Sequence, residues 1–253
     1  MRYPMPEKNS PLTLSTLVLI ILFLPGFVSA ESPGVLRGGY IDFPPLTYTD
    51  ASGQAAGEGI ELTNRLLREV GLEVAWQEYP LGRIYHSFRH NLIDLWPGSA
   101  GVPSIQPYVL ETKDAPGIKV RLYAYHLESV PPIESLEQIR NKRLILIRGY
   151  TYLSKLNSLR KANKDIVTAP NHRSALRLLA MGRGDYLLDF GRPLEAAEKT
   201  VTIEGLQRSL LDQWRVALVV SKSLEGASDL VEQLDRSFMA NFAGQCESET
   251  AAC

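Results

Sequence analysis

Cysteine is nearly missing from this chain: two occur in 253 residues, Cys246 and Cys253, both in a polar carboxyl-terminal stretch with six residues between them. A dense disulfide framework is thereby excluded. In an oxidising compartment the two thiols can join each other, stay free or pair between chains, and the intrachain disulfide is the expectation. Histidine is also scarce, with four residues. His86 and His90 have the spacing of a two-ligand metal face on a helix, but no Asp or Glu lies between them, so an exposed polar pair is expected and neither metal nor cofactor. Charge of one sign is lacking as well, with 27 Lys and Arg against 28 Asp and Glu, which leaves no basic footprint for nucleic acid. The common enzyme signatures are absent: there is no G-x-S-x-G elbow, no G-x-x-x-x-G-K-[ST] loop and no G-x-G-x-x-G.

What the chain does have begins with one long apolar run, Leu12 to Val28, preceded by Arg2 and Lys8 and followed by Val28-Ser29-Ala30. A basic start, an apolar middle and a small-residue end are the three parts of a secretory leader, so cleavage after Ala30 and export to the periplasm are expected. The residue directly after Ala30 is Glu31, not a Cys that could take a lipid anchor, so a freely soluble exported protein is expected. Loss of Arg2, Lys8 and Glu7 takes the net charge from −1 to −2 and leaves 223 residues, enough for one large or two small cores. No second run is long enough to span a bilayer, so the mature chain is expected outside the membrane.

Strand and helix signals alternate through the rest, which predicts an α/β fold with largely parallel sheets. A strand at Gly38–Asp42 must stop at Phe43-Pro44-Pro45, because proline fixes φ and has no N–H for a ladder. A turn over 49–53 leads through Gly57 and Gly59 into a helix with apolar Ile60, Leu66, Leu67 and Val70, closed by Gly71. A strand over 72–79, a helix over 81–90 and a short strand at 93–96, stopped by Pro97-Gly98, complete a first series. A second follows a strand-like run at 118–126: a helix start at Ser135, a strand at 144–147, a helix over 152–162, a strand at 165–169, a helix over 171–181 and a strand at 186–188. Strand character peaks again at 216–220, and a last helix from about Ser228 carries Leu230, Leu234, Phe238 and Phe242 on one face. Two lobes are expected, 31–122 with 216–245 and 123–215, followed by a tail at 246–253.

In open α/β sheets ligands sit outside the carboxyl ends of strands. Four such ends carry aromatic residues here: Tyr40 to Phe43, Trp96 to Ser99, Arg148 to Tyr152, and Asp189-Phe190. Trp96 either stacks on a ligand or fills the core. At Arg148-Gly149-Tyr150-Thr151-Tyr152 a strand turns into a helix, whose positive end suits an anion; Thr151 either contacts the ligand or caps that helix.

The segment containing Gly39, Pro44, Pro45, Tyr48, Asp50, Gly53, Gly57, Glu61 and Leu62 resembles the opening of the periplasmic solute-binding proteins of family 3, which serve polar amino acid uptake. The resemblance implies a two-lobed type 2 periplasmic-binding-protein fold with two hinge strands, near 118–126 and 213–221, and a monomer working with an ABC transporter permease. It also implies a cleft in which Tyr40, Phe43, Tyr48, Trp96 and Ser99 face Arg148, Tyr150, Thr151 and Asp189. Asp189, at the end of a run resembling the family's G-x-x-D-a-x-x-x-D, would accept hydrogen bonds from a ligand ammonium. The chain departs from the family around Leu46 and Glu58, where an aromatic is usual. It departs again between Ser99 and Tyr108, which lacks the T-x-E-R whose Arg clasps an α-carboxylate. Arg83, in a segment resembling P-[WF]-x-R, and Arg148 are the substitutes on offer.

Three functions follow from the resemblance. The first is a non-enzymatic protein that captures a small polar, amino-acid-like solute by hinge closure and delivers it to the transporter. The second is an enzyme on the same scaffold, similar to cyclohexadienyl dehydratases, with Glu58 or Asp189 as the acid. The third is a ligand-sensing partner of a membrane kinase.

Overall fold

The computed structural model describes Met1 and residues 34–152, 155–163 and 165–242. The rest of the expected leader, with its cleavage point, and both cysteines lie outside the described residues. The chain divides into two units, Met1–Ser32 and Pro33–Cys253, and every described strand and helix belongs to the second.

Within it, two sets of parallel strands are bridged by an antiparallel pair. The first set is β1 (Gly34–Tyr40), flanked by β4 (Leu72–Glu78) and β5 (Leu95–Ser99), both parallel to it. The second is β8 (Leu144–Ile147), flanked by β9 (Ile166–Ala169) and β10 (Tyr186–Phe190), again parallel. Between them run β7 (Lys119–Leu127) and the 16-residue β11 (Leu206–Ser221). The first part of β11 pairs with β7, from Leu206↔Leu127 to Arg215↔Lys119. Its last residues, Val216 to Ser221, pair with β5 and with the short β6 (Val109–Glu111), so this one strand belongs to both sets. A two-stranded ribbon of β2 (Tyr48–Thr49) and β3 (Ala55–Ala56) stands apart, where a bare turn was expected.

The burial patterns follow from layering. β8 and β10 are buried at every residue because helices cover both faces, and their sequences, LILI and YLLDF, are nearly continuous apolar runs. β4, at the sheet edge, alternates between half-buried and exposed residues. Helix α1 (Glu58–Glu69) buries Ile60, Leu62, Leu66 and Leu67, and α6 (Ala227–Asn241) joins the same core through Leu230, Leu234 and Phe238. Helix α2 (Leu81–Arg89) places Ile84, Tyr85 and Phe88 in a second cluster with Trp96 and Val219. On the β8 side, α4 (His172–Ala180) buries Leu176 and Leu179, and α5 (Gly191–Glu198) buries Leu194.

Four expectations need correction. The strand at Trp96 does not stop at Pro97-Gly98; β5 continues to Ser99. Ala100 donates its N–H to the Arg215 carbonyl, so residues 96, 98 and 100 turn their N–H groups toward β11 while Pro97 faces away, where no donor is needed. No helix forms at Ser135, where the chain makes turns. The helix expected from Tyr152 is α3 (Leu156–Ala162), which begins four residues later. No helix was expected after the strand at 186–188, yet α5 forms there, with Gly191 and Pro193 in its first turn, where proline is tolerated.

Candidate functional site

The elbow after β1 closes on itself. Phe43 and Thr47 exchange backbone hydrogen bonds, Phe43 N–H to Thr47 O at 2.7 Å and Thr47 N–H to Phe43 O at 3.1 Å, and the Thr47 hydroxyl donates to Ile41 O at 2.8 Å. The amino end of α1 docks on this elbow: Glu58 N–H donates to Pro45 O and Gly59 N–H to Leu46 O. Those donors are thus satisfied by protein carbonyls. The close approach explains Gly57, whose φ is +107° and at which a Cβ would lie 2.5 Å from Leu46 O. Phe43 and Leu46 are held rigidly as a result.

Opposite the elbow, the turn after β8 is pinned from below. Tyr152 is 1% exposed; its hydroxyl accepts from Ile147 N–H at 2.8 Å and donates to Leu188 O at 3.1 Å. With Tyr152 anchored, Tyr150 and Thr151 are presented outward. Phe43 then packs against Tyr150 and Phe190, with ring centroids 5.9 and 5.2 Å away. Phe190 also meets Tyr152 and Trp214. An aromatic cluster therefore spans the two strand sets.

Between them lies a cavity of about 560 Å³ of interatomic space, partly continuous with solvent. From the β1 and β5 side it is lined by Ile41, Phe43, Leu46, Thr47, Leu81 and the Trp96–Ser99 strand end. From the other side come Tyr150, Thr151, Tyr152 and Phe190, with Val120 of β7 and Val216 of β11 between. None of these lining side chains is charged. Trp96 is 2% exposed, and its indole lies over Gly98, where a Cβ would come within 1.9 Å of the ring. Tyr85 meets Trp96 edge-on with centroids 5.9 Å apart, and burial pushes the Tyr85 phenol up to about 12.

Behind the wall runs a polar chain. Asp189 Oδ2 lies 2.7 Å from His172 Nδ1, and His172 Nε2 lies 3.1 Å from the Tyr150 hydroxyl. Asp189 is fully buried, and its other oxygen accepts Phe190 N–H at 2.7 Å. Burial pushes the Asp189 carboxyl above the usual carboxylate range, with His172 pulling it partly back. Burial, helped by the Asp189 charge, holds the Tyr150 phenol well above its ordinary value.

Of the residues expected in the site, Phe43, Trp96, Ser99, Tyr150 and Thr151 line this cavity. Asp189 does not: strand alternation turns it toward α4 and His172 while Phe190 takes the cavity side. Tyr40 is buried behind the elbow, edge-on to Trp76, with its hydroxyl 2.7 Å from Thr49 Oγ1. Tyr48 is half-buried in the β2–β3 ribbon and away from the lining. Arg148 and Arg83 are exposed and neither lines the cavity. With α3 beginning at Leu156, its amino end is not at the 148–152 turn, and the anion seat expected there is not formed by it. His86 and His90 stack, centroids 4.0 Å apart, and His90 Nδ1 lies 2.9 Å from His86 O. The acid candidates Glu58 and Asp189 both stand outside the lining; Glu58 Oε1 pairs with Arg192 at 2.6 Å. His172 was legible only as an isolated histidine, although its place directly after the Asn171 cap puts it at a helix start facing β10.

No protein-family profile matches the chain. No curated protein matches it in sequence. Solved structures do match in fold. A histidine kinase sensor domain with similarity to periplasmic binding proteins superposes with a TM-score of 0.66 at 22% identity, over 82% of this chain and 89% of that one. An ancestral arginine-binding protein bound to arginine gives 0.62 at 20% identity, over 83% and 93%. The substrate-binding protein of an ABC uptake transporter from Streptococcus pneumoniae, with bound histidine, gives 0.64 at 18% identity, over 84% and 88%. Two parallel strand sets bridged by β7 and β11, with the cavity at the strand ends between them, and these superpositions agree: the chain has the type 2 periplasmic-binding-protein fold.

Proposed function

We propose that this protein binds a small solute between its two strand sets, outside the cytoplasm, and hands it to an ABC-type membrane transporter. The observation that carries this reading is the cavity itself, with Phe43 and Trp96 on one side and Tyr150, Thr151 and Phe190 on the other. A solute held there touches both sides at once. It therefore favours the closed arrangement by the contacts that only that arrangement offers. The solved relatives in fold that bind arginine or histidine support a solute of amino-acid size.

Binding without chemistry is part of the proposal. Neither Glu58 nor Asp189 stands in the cavity wall, so no carboxyl is placed to protonate a leaving group there. Export fits the apolar run at Leu12–Val28, and among the described residues no helix is long and apolar enough to cross a membrane.

Thermal-shift screening of the purified protein against amino acids, amines, small acids and sugars tests the reading. A solute bound only by the folded state, at a hundred times its Kd, adds about 2.7 kcal/mol of stability. Product formation from prephenate or arogenate at catalytic protein concentrations would overturn it. A second reading, a sensor input that docks on a membrane kinase once loaded, draws on the likeness to a histidine kinase sensor domain. Co-purification with a permease separates transport from sensing.

A further inference from the structure

Six buried side-chain polar atoms among the described residues lack a hydrogen-bond partner, and three of them belong to residues at or just behind the cavity lining: Trp96 Nε1, Thr151 Oγ1 and Tyr85 Oη. Trp96 and Thr151 line the cavity from opposite sides. Tyr85 connects them, packing edge-on against Trp96 while its hydroxyl approaches Thr151 without an ordinary hydrogen bond. Unpartnered buried polar atoms are costly, and most are satisfied in a native protein by water or a bound group. The indole N–H can only donate, whereas the two hydroxyls can donate or accept.

The rest of the wall sets the other requirement. Phe43, Leu46, Tyr150, Phe190 and Val216 offer ring faces and methyl groups, and the lining holds no charged side chain. A zwitterionic amino acid would place an ammonium and a carboxylate against such a wall with no opposite charge, a large desolvation cost. A flat apolar ring meets no such cost and gains offset or edge-on contacts with the aromatic cluster.

We infer that the solute is an uncharged aromatic molecule carrying one oxygen acceptor, its ring packed against the cavity side of the Phe43 and Phe190 pair and its oxygen held by Trp96 Nε1 and the Thr151 hydroxyl. The inference rests on the solute-binding reading above and narrows its ligand class.

Calorimetric titration of the full purified chain with acetophenone, benzyl alcohol, toluene, L-arginine, L-histidine and L-glutamine decides it. Acetophenone and benzyl alcohol are expected to bind about tenfold tighter than toluene, the increment of one buried hydrogen bond, and the three amino acids at least tenfold weaker than acetophenone. Thr151→Val keeps the shape and removes the hydroxyl, so it is expected to bring acetophenone close to toluene while leaving toluene unchanged; Trp96→Phe should act in the same direction. Retained toluene binding shows that each variant is folded. Equal binding of toluene and acetophenone, or no response to Thr151→Val, overturns the oxygen seat. Binding of an amino acid in place of the neutral rings overturns the ligand class and leaves the solute-binding reading standing. Silence across all six probes overturns the ligand class, and the wider solute screen then judges the reading separately.

Discussion

Glu58 and Arg192 meet at 2.6 Å although 134 residues separate them, one at the start of α1 and the other in the first turn of α5. Each sits on a helix packed on a different strand set, so the pair links the two sets. Both side chains keep partial solvent exposure, 36% for Arg192 and 25% for Glu58, which limits what the pair contributes. A double-mutant cycle with Glu58→Gln and Arg192→Gln should give a coupling of about 0.2–1 kcal/mol, up to about fivefold in solute affinity, and the coupling should shrink in high salt. A coupling independent of salt would show that the pair does not act as an ion pair.

Gly98 leaves room for the Trp96 indole. Its replacement by Ala places a methyl where the ring now lies, 1.9 Å from the nearest ring carbon. The ring must move, and overpacking of this kind costs about 1–3 kcal/mol. Gly98→Ala should therefore lower the melting temperature and weaken solute binding together. An unchanged melting temperature would show that Trp96 is free to swing.

Asp189 does not line the cavity but bears on it through His172 and Tyr150 and through the Phe190 N–H. Asp189→Ala strips the partner from His172 and from Phe190 N–H, at a cost of about 1–3 kcal/mol in denaturant unfolding. Asp189→Asn keeps an acceptor for Phe190 N–H and should lose distinctly less. If the two variants lose equally, the hydrogen bonds are not what Asp189 supplies.

Asp94 gives the fold a pH dependence at the end of the first strand set. Burial pushes its carboxyl up, but the side-chain, backbone and charge interactions with Arg37 outweigh it and hold the carboxyl below its usual range. The folded protein thus binds this proton less readily than the unfolded chain. The stability from Asp94 is full above the unfolded value of about 3.9 and is lost as pH falls through the lower folded value. Asp94→Asn should be less stable than the parent at neutral pH, with the gap closing below about pH 4. A constant gap down to pH 2 would contradict the assignment.

Much of the fold was legible where periodicity was strong. The apolar stripe of α1, the bounds of β8 and α4 to within a residue and the start of β10 follow from spacing, caps and buried runs, because local sequence and burial agree there. Legibility failed where tertiary context overrode a local signal. Pro97 looked like a strand end, yet β5 tolerates it because its nitrogen faces away from β11. No helix was read after the strand at 186–188, yet Gly191 and Pro193 open α5 there.

By itself the sequence determined that an α/β chain with strand ends rich in aromatic residues would form, and that two cysteines leave no room for a dense disulfide framework. Alternation of two-residue and helical periods, and proline's missing N–H, are properties of the chain and need no partner. Only the tertiary structure decided which side chains share the cavity. Strand alternation sent Asp189 backward and Phe190 forward, and the anchored Tyr152 pushed Tyr150 and Thr151 out to meet Phe43. Those outcomes depend on contacts between segments 17 to 107 residues apart, which no local pattern encodes.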